Sequence, residues 1–324
     1  MKISNIELGE TPLLLAPMED VTDASFRYIC KSFGADLLYT EFVSSDGLIR
    51  DVDKSLAKLI TYDYEKPIGI QIYGHIPEAM VEAAKMVEKA SPDLIDINFG
   101  CPVNKIAKRG AGSGMMREPD KLVEITRQVV KAVKLPVTVK TRLGWDENSK
   151  IIVELAEQLQ DVGIAALTIH GRTRCQMYKG EADWTLIGEV KKNPRMTIPI
   201  IGNGDISTPE EAKEAFDKYG VDAIMIGRAS FGHPWIFKEI KHYLKTGELL
   251  PPLSVEERVE LAKRHLAKSI EIKGEKVGIL EMRRHLSCYF KGLNNFKDTR
   301  LKLVTLTNPD ELYSILDFIK ETWK

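Results

Sequence analysis

Cys101 stands in the run Asn98-Phe99-Gly100-Cys101-Pro102, on a stretch that leaves an apolar segment and carries polar and glycine residues. A thiol with an ordinary pKa of about 8.5 keeps its proton at neutral pH and can give it to a reacting carbon or nitrogen. The usual fate of a lone cysteine is that of a small buried hydrophobe, but these polar, glycine-rich surroundings predict a cysteine that is not buried. Cys30, inside an apolar helical pattern, fits burial well, and Cys288, beside Tyr289 and Phe290, is expected in a core. Cys175 shares a loop with Arg172, Arg174 and Lys179, which reads as solvated charge or as part of a site. The four cysteines form no C-x-x-C pair and no His/Cys cluster at zinc spacing. A disulfide framework and a metal site are therefore not expected.

Other residues able to do chemistry also follow apolar runs. They are Pro17-Met18 with Ala16 before them, Gln71, Asn98, Lys140 with Arg142, His170-Gly171-Arg172, Asn203-Gly204-Asp205 and Gly227-Arg228. An amide, a lysine and a histidine converging on one point can hydrogen-bond the edge of an isoalloxazine ring, and glycines at 204 and 227 let backbone N–H groups approach a phosphate. Each residue alone has an ordinary account: a turn glycine, a surface lysine, a core histidine, a capping amide. Their recurrence at the ends of separate apolar runs argues for one shared site.

The elements that must position them are short apolar runs alternating with amphipathic segments, the pattern of βαβ units. Strands are predicted over Leu13–Met18, Leu37–Thr40, Ile68–Tyr73, Leu94–Asn98, Val137–Arg142, Ala166–His170, Pro199–Asn203 and Ala223–Gly227. Helices are predicted over Pro77–Ala90, Pro119–Val133, Ile151–Val162 and Thr208–Tyr219. Strict alternation of this kind favours a (β/α)8 TIM barrel, whose active site lies at the C-terminal ends of the strands, where phosphate often sits after the last two. An open doubly wound sheet is the competitor, but the glycine-rich stretch Arg109–Gly114 does not read G-x-G-x-x-G and lies well past its strand, which argues against a dinucleotide-binding sheet. After Pro251-Pro252 the strand-like runs stop, so the expected division is a barrel over 1–250 and an all-helical domain over 251–324.

Hydrophobic residues make up 44% of the chain and charged residues 29%, as in ordinary globular proteins. No apolar run approaches the roughly 18 residues of a membrane-spanning helix, and Leu13-Leu14-Leu15 is too short for a signal peptide, so a cytoplasmic protein without membrane contact is expected. The net charge of -1 hides a basic region: Leu261 to Lys302 holds eleven Lys/Arg against four Asp/Glu. Arg283, Arg284, Lys291, Lys297 and Arg300 there, with Lys105, Lys108, Arg109 and Arg174 on the barrel rim, are candidates for nucleic-acid phosphate, although a solvated helix face explains any one of them equally well. Tyr289, Phe290 and Phe296 lie among them and are expected to pack in a core rather than stack on bases.

Leu15-Ala16-Pro17-Met18 through Thr22-Asp23, the Asn-x-Gly-Cys-Pro element at 98–102 with Lys105 after it, Gly112-Ser113, His170-Gly171-Arg172-Thr173 and Asn203-Gly204-Asp205 together resemble the tRNA-dihydrouridine synthase family. The matching motifs run from residue 15 to 228, and the region after Arg283 resembles the family's helical tRNA-binding domain more loosely. The resemblance implies bound FMN, NADPH or NADH as a transient reductant, and reduction of the uracil C5–C6 bond of a tRNA uridine. It implies that Ala16, Pro17, Met18, Gln71, Lys140, Asn203, Gly204, Asp205, Gly227 and Arg228 hold FMN with His170 beside the ring, and that Cys101 is the general acid. Asn98 and Arg142 resemble the residues that address the uracil edge and a nearby phosphate, and Arg174, Arg283, Arg284 and Lys291 are expected to contact tRNA. Glu19-Asp20 departs from the small residues that many relatives carry after Pro-Met. The rival readings are an FMN barrel reducing a free small molecule, which has no evident use for a basic helical tail, and a non-catalytic RNA-binding barrel, which has none for Cys101, Lys140 and His170. Neither a stable protein partner nor an oligomer is expected.

Overall fold

The computed structural model describes residues 1–323. Its eight main strands are β1 (Leu13–Leu15), β2 (Leu38–Tyr39), β3 (Ile68–Tyr73), β4 (Leu94–Asn98), β5 (Val137–Arg142), β6 (Ala166–His170), β7 (Ile200–Asn203) and β8 (Ala223–Ile226). They pair in parallel in sequence order from β2 to β8, and β8 pairs with β1. A bridge between Leu14 and Leu37 closes the ring, with Asp36 N–H donating to Leu13 O at 2.8 Å. All eight strand expectations are met, with ends shifted by up to three residues. β1 stops at Leu15 rather than Met18 because Pro17 has no N–H to give and Met18 turns into a loop, its N–H donating to Thr22 Oγ1 at 2.9 Å.

Side-chain alternation along the strands sorts the interior. Leu13, Leu15, Ile68, Ile70, Ile72, Ile95, Ile97, Val139, Ile169 and Ile224 join the cluster that packs against the outer helices. The alternate positions form a second cluster inside the ring, with Leu14, Leu94, Ala166, Ile201, Ala223 and Met225. Toward the C-terminal ends of the strands the same alternate rows turn polar: Gln71, Asp96, Asn98, Thr138, Lys140, His170 and Asn203. A small N-terminal hairpin, Lys2–Ile3 with Ile6–Glu7, was not anticipated. It delivers Ile3 and Leu8 to the interior cluster and so covers the apolar end.

The outer helices include α1 (Ala24–Ser32), α2 (Pro77–Lys89), α3 (Pro119–Ala132), α4 (Ile152–Asp161), α5 (Thr185–Lys192), α6 (Pro209–Tyr219) and α7 (Ile236–Thr246). Their starts follow local rules: α6 opens with a capping box between Thr208 and Glu211 and carries proline in its first turn. Beyond Pro251-Pro252 come α8 (Val255–Lys273), α9 (Glu275–Tyr289), α10 (Lys297–Thr305) and α11 (Pro309–Thr322). Ser254 and Glu257 form the capping box that starts α8. These helices bury their own cluster, with Leu266, Ile279, Met282, Leu286, Leu303, Leu312 and Leu316, and Ile29 of α1 and Trp235 belong to the same cluster. Tyr289, Phe290 and Phe296 are buried in it, as expected. No helix among the described residues is long and apolar enough to cross a membrane.

Candidate active site

A cavity of about 710 Å³ opens at the C-terminal ends of the strands. Ala16, Pro17, Met18, Asn98, Cys101, Lys140, Arg142, His170, Asn203, Gly204, Asp205, Gly227 and Arg228 all line it, so one site gathers residues from six strand ends. Four expected substrate contacts do not reach it, since Arg174, Arg283, Arg284 and Lys291 lie outside its lining, and neither does Gln71.

Gln71 is fully buried beneath the floor, with both ends of its amide engaged. Its Nε2 donates to Asp96 Oδ2 at 2.6 Å and its Oε1 accepts from Asn98 Nδ2 at 2.7 Å. Asn98 Oδ1 in turn accepts the backbone N–H of Gly100 at 2.9 Å and of Cys101 at 2.8 Å. The strand register produces this row, since Gln71 faces Asp96, Asp96 faces Thr138, and Asn98 faces Lys140 across adjacent strands.

Contrary to the sequence expectation, Cys101 is buried, at 6% exposure. The polar, glycine-rich stretch after it folds back over it instead of opening to water. Ser113 donates both its N–H, at 3.1 Å, and its hydroxyl, at 2.7 Å, to Cys101 O. Gly112 (φ 55°) makes this closure possible, because a Cβ there would stand 3.1 Å from Cys101 Cβ and 3.1 Å from its carbonyl oxygen. Burial raises the thiol's pKa above its ordinary value, against the opposing pull of the Val103 N–H and the Arg142 charge. The thiol therefore holds its proton at neutral pH. Cys30 is buried as expected, Cys288 is half-buried and Cys175 is exposed.

Lys140 is not a surface charge. Burial, helped by the nearby Arg142 cation, lowers its ammonium to about 8, and it makes no hydrogen bond or ion pair to a described residue. Arg142 is 3% exposed and stitches two loops together: Nε donates to Gly100 O at 2.7 Å, Nη1 to Thr173 O at 3.1 Å and to Met177 O at 2.9 Å. Burial and the surrounding Arg142, Lys140 and Arg172 charges drive His170 well below its usual pKa, so its ring is neutral.

Arg172, expected with His170 at a strand end, is 2% exposed and donates to both oxygens of Asp205, with Nη1–Oδ1 at 2.9 Å and Nη2–Oδ2 at 2.5 Å. Arg228 reaches Asp205 Oδ1 at 2.9 Å as well. Burial alone raises the Asp205 carboxyl, but these hydrogen bonds, with one from Ala182 N–H, hold it below its ordinary value. Asp205 thus holds two arginines at the cavity edge. Sequence reasoning missed Phe42, Tyr178 and Ser207 in the lining. Tyr178, half exposed, lies between Arg142 and Arg228, whose guanidinium carbons are 5.7 and 4.9 Å from its ring. An aromatic amid Arg172, Arg174 and Lys179 was the available signal.

The basic residues of the helical region are partly engaged within the protein. Arg283 donates to Thr305 O at 3.0 Å, and Arg284 donates to Asp20 O with the Asp20 carboxylate 3.7 Å away. Lys58 pairs with Glu19 at 2.7 Å, so the unusual Glu19-Asp20 step is tied down from both sides.

A family model described as dihydrouridine synthase matches residues 14–322. A probable tRNA-dihydrouridine synthase of Rickettsia conorii is 42% identical over 310 residues, covering 95% of this chain and 93% of that protein. tRNA-dihydrouridine synthase B of Shewanella oneidensis is 40% identical over 318 residues, 98% of each, and that of Proteus vulgaris 43% identical over 291, covering 90% and 89%. Among solved structures, histamine dehydrogenase from Rhizobium sp. 4-9 superposes with a TM-score of 0.54 at 13% identity, covering 82% of this chain and 50% of that one. 2-Naphthoyl-CoA reductase does so at 0.54 and 13%, covering 75% and 51%. This chain spans about half of each of those two proteins and shares their fold. Since the family model and these relatives both span nearly the whole sequence, barrel and helical region included, the chain belongs to the dihydrouridine synthase family.

Proposed function

We propose that the protein is a tRNA-dihydrouridine synthase that uses FMN and a nicotinamide reductant to saturate the C5–C6 bond of a tRNA uridine. The single observation that carries this reading is a buried, protonated Cys101 facing the same cavity as an unpartnered Lys140 and a neutral His170.

The residues present fit a flat, phosphate-bearing cofactor. The cavity has the size of a cofactor site. Gly204 adopts φ 129°, a backbone that side chains rarely take, at the mouth between His170 and Ala182. The turn Arg228–Ser230 opens directly after β8, where barrels commonly hold phosphate. In this reading Ala16, Pro17, Met18, Asn203, Gly204, Gly227 and Arg228 hold FMN, and Lys140 and His170 offer a cation and a neutral ring to its polar edge. Gln71 contributes by fixing Asn98 from below. Bound there, the flavin supplies the hydride that uracil C6 receives.

The protein's own part is binding, orientation and a proton. Cys101 gives its S–H proton to C5 as the C6–H bond forms. The resulting thiolate is met by the Val103 N–H and by the Arg142 and Lys140 charges, and a proton from water restores it. Asn98 keeps one amide N–H for a uracil carbonyl, because its other N–H and its oxygen are committed to protein. The reduction needs a uridine turned out of its stack, at a cost of a few kcal/mol, which cationic contacts to RNA offset. Lys105, Lys108, Arg109 and Arg174 on the rim, and Lys291, Lys297 and Arg300 on the helical region, supply those contacts.

The test is to incubate the purified protein and NADPH with tRNA that lacks dihydrouridine and to digest the product for mass spectrometry. A nucleoside heavier than uridine by two hydrogens, absent when NADPH is withheld, is expected. An unchanged uridine with a flavin-loaded protein contradicts the proposal.

A further inference from the structure

We infer that Asp96, which touches neither the cavity nor Cys101, is a positioning residue for the general acid, acting through Gln71 and Asn98 to fix the Cys101 loop. The inference rests on the reading of Cys101 as the proton donor.

Asp96 sits inside the barrel at 1% exposure, one strand register below the polar rim. Thr138 donates its hydroxyl to Oδ1 at 2.5 Å and Gln71 donates Nε2 to Oδ2 at 2.6 Å. Burial raises its carboxyl to about 6, which still leaves it ionised at neutral pH. An ionised carboxylate accepts hydrogen bonds and cannot donate them. It therefore selects the NH2 end of the Gln71 amide and turns the carbonyl end toward Asn98. That carbonyl, at 2.7 Å, selects the NH2 end of Asn98 in the same way. Asn98 Oδ1 is then left facing the loop, where it accepts from Gly100 N–H and Cys101 N–H.

Each amide has two nearly isosteric orientations, and packing alone distinguishes them weakly. The carboxylate at the head of the row breaks that degeneracy for both. If Gln71 turned over, its amide oxygen would face the Asp96 carboxylate oxygen, acceptor against acceptor, and two NH2 groups would meet at Asn98. Asn98 turned over would present NH2 to the two loop N–H groups, freeing the backbone that carries the thiol. The same rows lower down hold leucine and alanine. The Asp96 charge also favours the buried Lys140 ammonium, which it does not touch, so the double variant Asp96→Asn/Gln71→Glu, which keeps one carboxylate in the row, separates polarity from charge. The same polarity fixes which group Asn98 keeps for substrate, an N–H donor.

The experiment compares Gln71→Glu, Asp96→Leu and the double variant Asp96→Asn/Gln71→Glu with the parent enzyme, all at matched flavin content and melting temperature. Gln71→Glu sets two carboxyl groups against each other. In the double variant the new amide at position 96 donates to the new carboxylate at position 71, whose other oxygen still accepts from Asn98, so the row regains its polarity. Two readouts are taken: turnover on tRNA, and the rate and pH profile of iodoacetamide alkylation on the peptide carrying Cys101, which needs no substrate. The expected result is a loss of turnover of about tenfold to a hundredfold in Gln71→Glu and Asp96→Leu, below the roughly hundredfold to ten-thousandfold span of a general acid. It includes a displaced alkylation profile in both and recovery of both readouts to within about threefold in the double variant. Parent-like turnover and alkylation in the two single variants overturns the inference, as does a double variant no better than Gln71→Glu. If instead Cys101→Ala turns over normally, it is the general-acid reading that fails.

Discussion

The Ser25 hydroxyl lies 3.2 Å from Nε2 of His265, joining residues 240 apart in the chain. Ser25 is in α1, directly after the loop that supplies Pro17 and Met18 to the cavity, and His265 is in α8 of the helical region. Ser25 also donates to Asp23 at 2.6 Å, Lys273 pairs with Asp23, and His265 Nδ1 meets the Tyr289 hydroxyl at 2.8 Å. His285 packs its ring against Phe26, Phe231 and His265, and neither of its nitrogens has a protein partner. A buried polar row thus clamps the helical region onto the first cavity loop.

This clamp makes stability fall on acidification. Burial lowers His285 to about 4 and takes His265 well below its usual value, with Asp23 opposing and Lys273, Arg264 and Arg284 reinforcing the shift. A group whose folded pKa is depressed below its unfolded value of about 6.5 contributes stability that is complete above that value. The contribution is lost as pH falls toward about 4. Burial raises Asp23, but Lys273 and the two histidines hold it well below the carboxylate range, so its share is lost only at lower pH. Thermal melts between pH 7.5 and pH 5 are expected to show a fall of several degrees, at roughly 2–4 °C per kcal/mol, and His285→Phe is expected to flatten it. Equal slopes in both proteins refute the clamp's pH dependence.

Removing the Asp205 carboxylate leaves Arg172, at 2% exposure, without its ion partner and also frees Arg228. Breaking one side of a buried pair costs on the order of 3 kcal/mol, discounted here because Asp205 is about one third exposed. Asp205→Ala is expected to lower the melting temperature by several degrees and to purify with less flavin. Full flavin retention, measured as absorbance per protein, denies Asp205 this role.

Cys101→Ala is expected to retain its flavin and to lose turnover by about a hundredfold or more, the contribution of a well-placed general acid. Cys101→Ser keeps the shape but donates a proton far less readily, and falls between the two. A loss confined to flavin content, with normal turnover per bound flavin, reassigns the residue to packing.

Two guanidinium groups stand over one indole beside the Cys101 loop: Arg117 at 4.4 Å and Arg174 at 4.7 Å from the Trp145 ring. Neither forms an ion pair with a described carboxylate, and Arg174 Nη2 reaches Asn104 Oδ1, at the start of the short helix after Cys101. Cations held ready without carboxylate partners suit RNA phosphate better than already paired ones such as Arg284. Arg117→Gln/Arg174→Gln is expected to raise the KM for tRNA several-fold and to lower the salt dependence of binding by about 0.7–0.9 in slope per lost phosphate contact. A fall in kcat with unchanged salt slope assigns the pair to bracing the loop.

The barrel was legible because its strands are apolar runs of regular spacing and because their polar ends recur at every turn of the chain. Eleven of the expected cofactor and catalytic residues line one cavity for that reason. That Gln71 lies beneath the cavity lining was not legible, because sequence shows that an amide ends a strand but not that Asp96, one strand over, engages it. Cys101 read as exposed because a polar loop is indistinguishable from a solvated one until Ser113 is seen to fold it back. The burial of Arg172 was not legible because its partner, Asp205, lies 33 residues away. The charge count of the tail overstated its free cations for a related reason: pairing with Asp23, Glu281, Asp317 and backbone carbonyls is a tertiary fact.

The most direct test is anaerobic. The bound flavin is reduced with NADPH, and its reoxidation is followed by absorbance after adding dihydrouridine-free tRNA, free uridine or uracil in separate runs. The account predicts rapid reoxidation by tRNA alone, slowed by about a hundredfold or more in Cys101→Ala. Reoxidation by a free pyrimidine and not by tRNA, or a protein that binds no flavin, contradicts it.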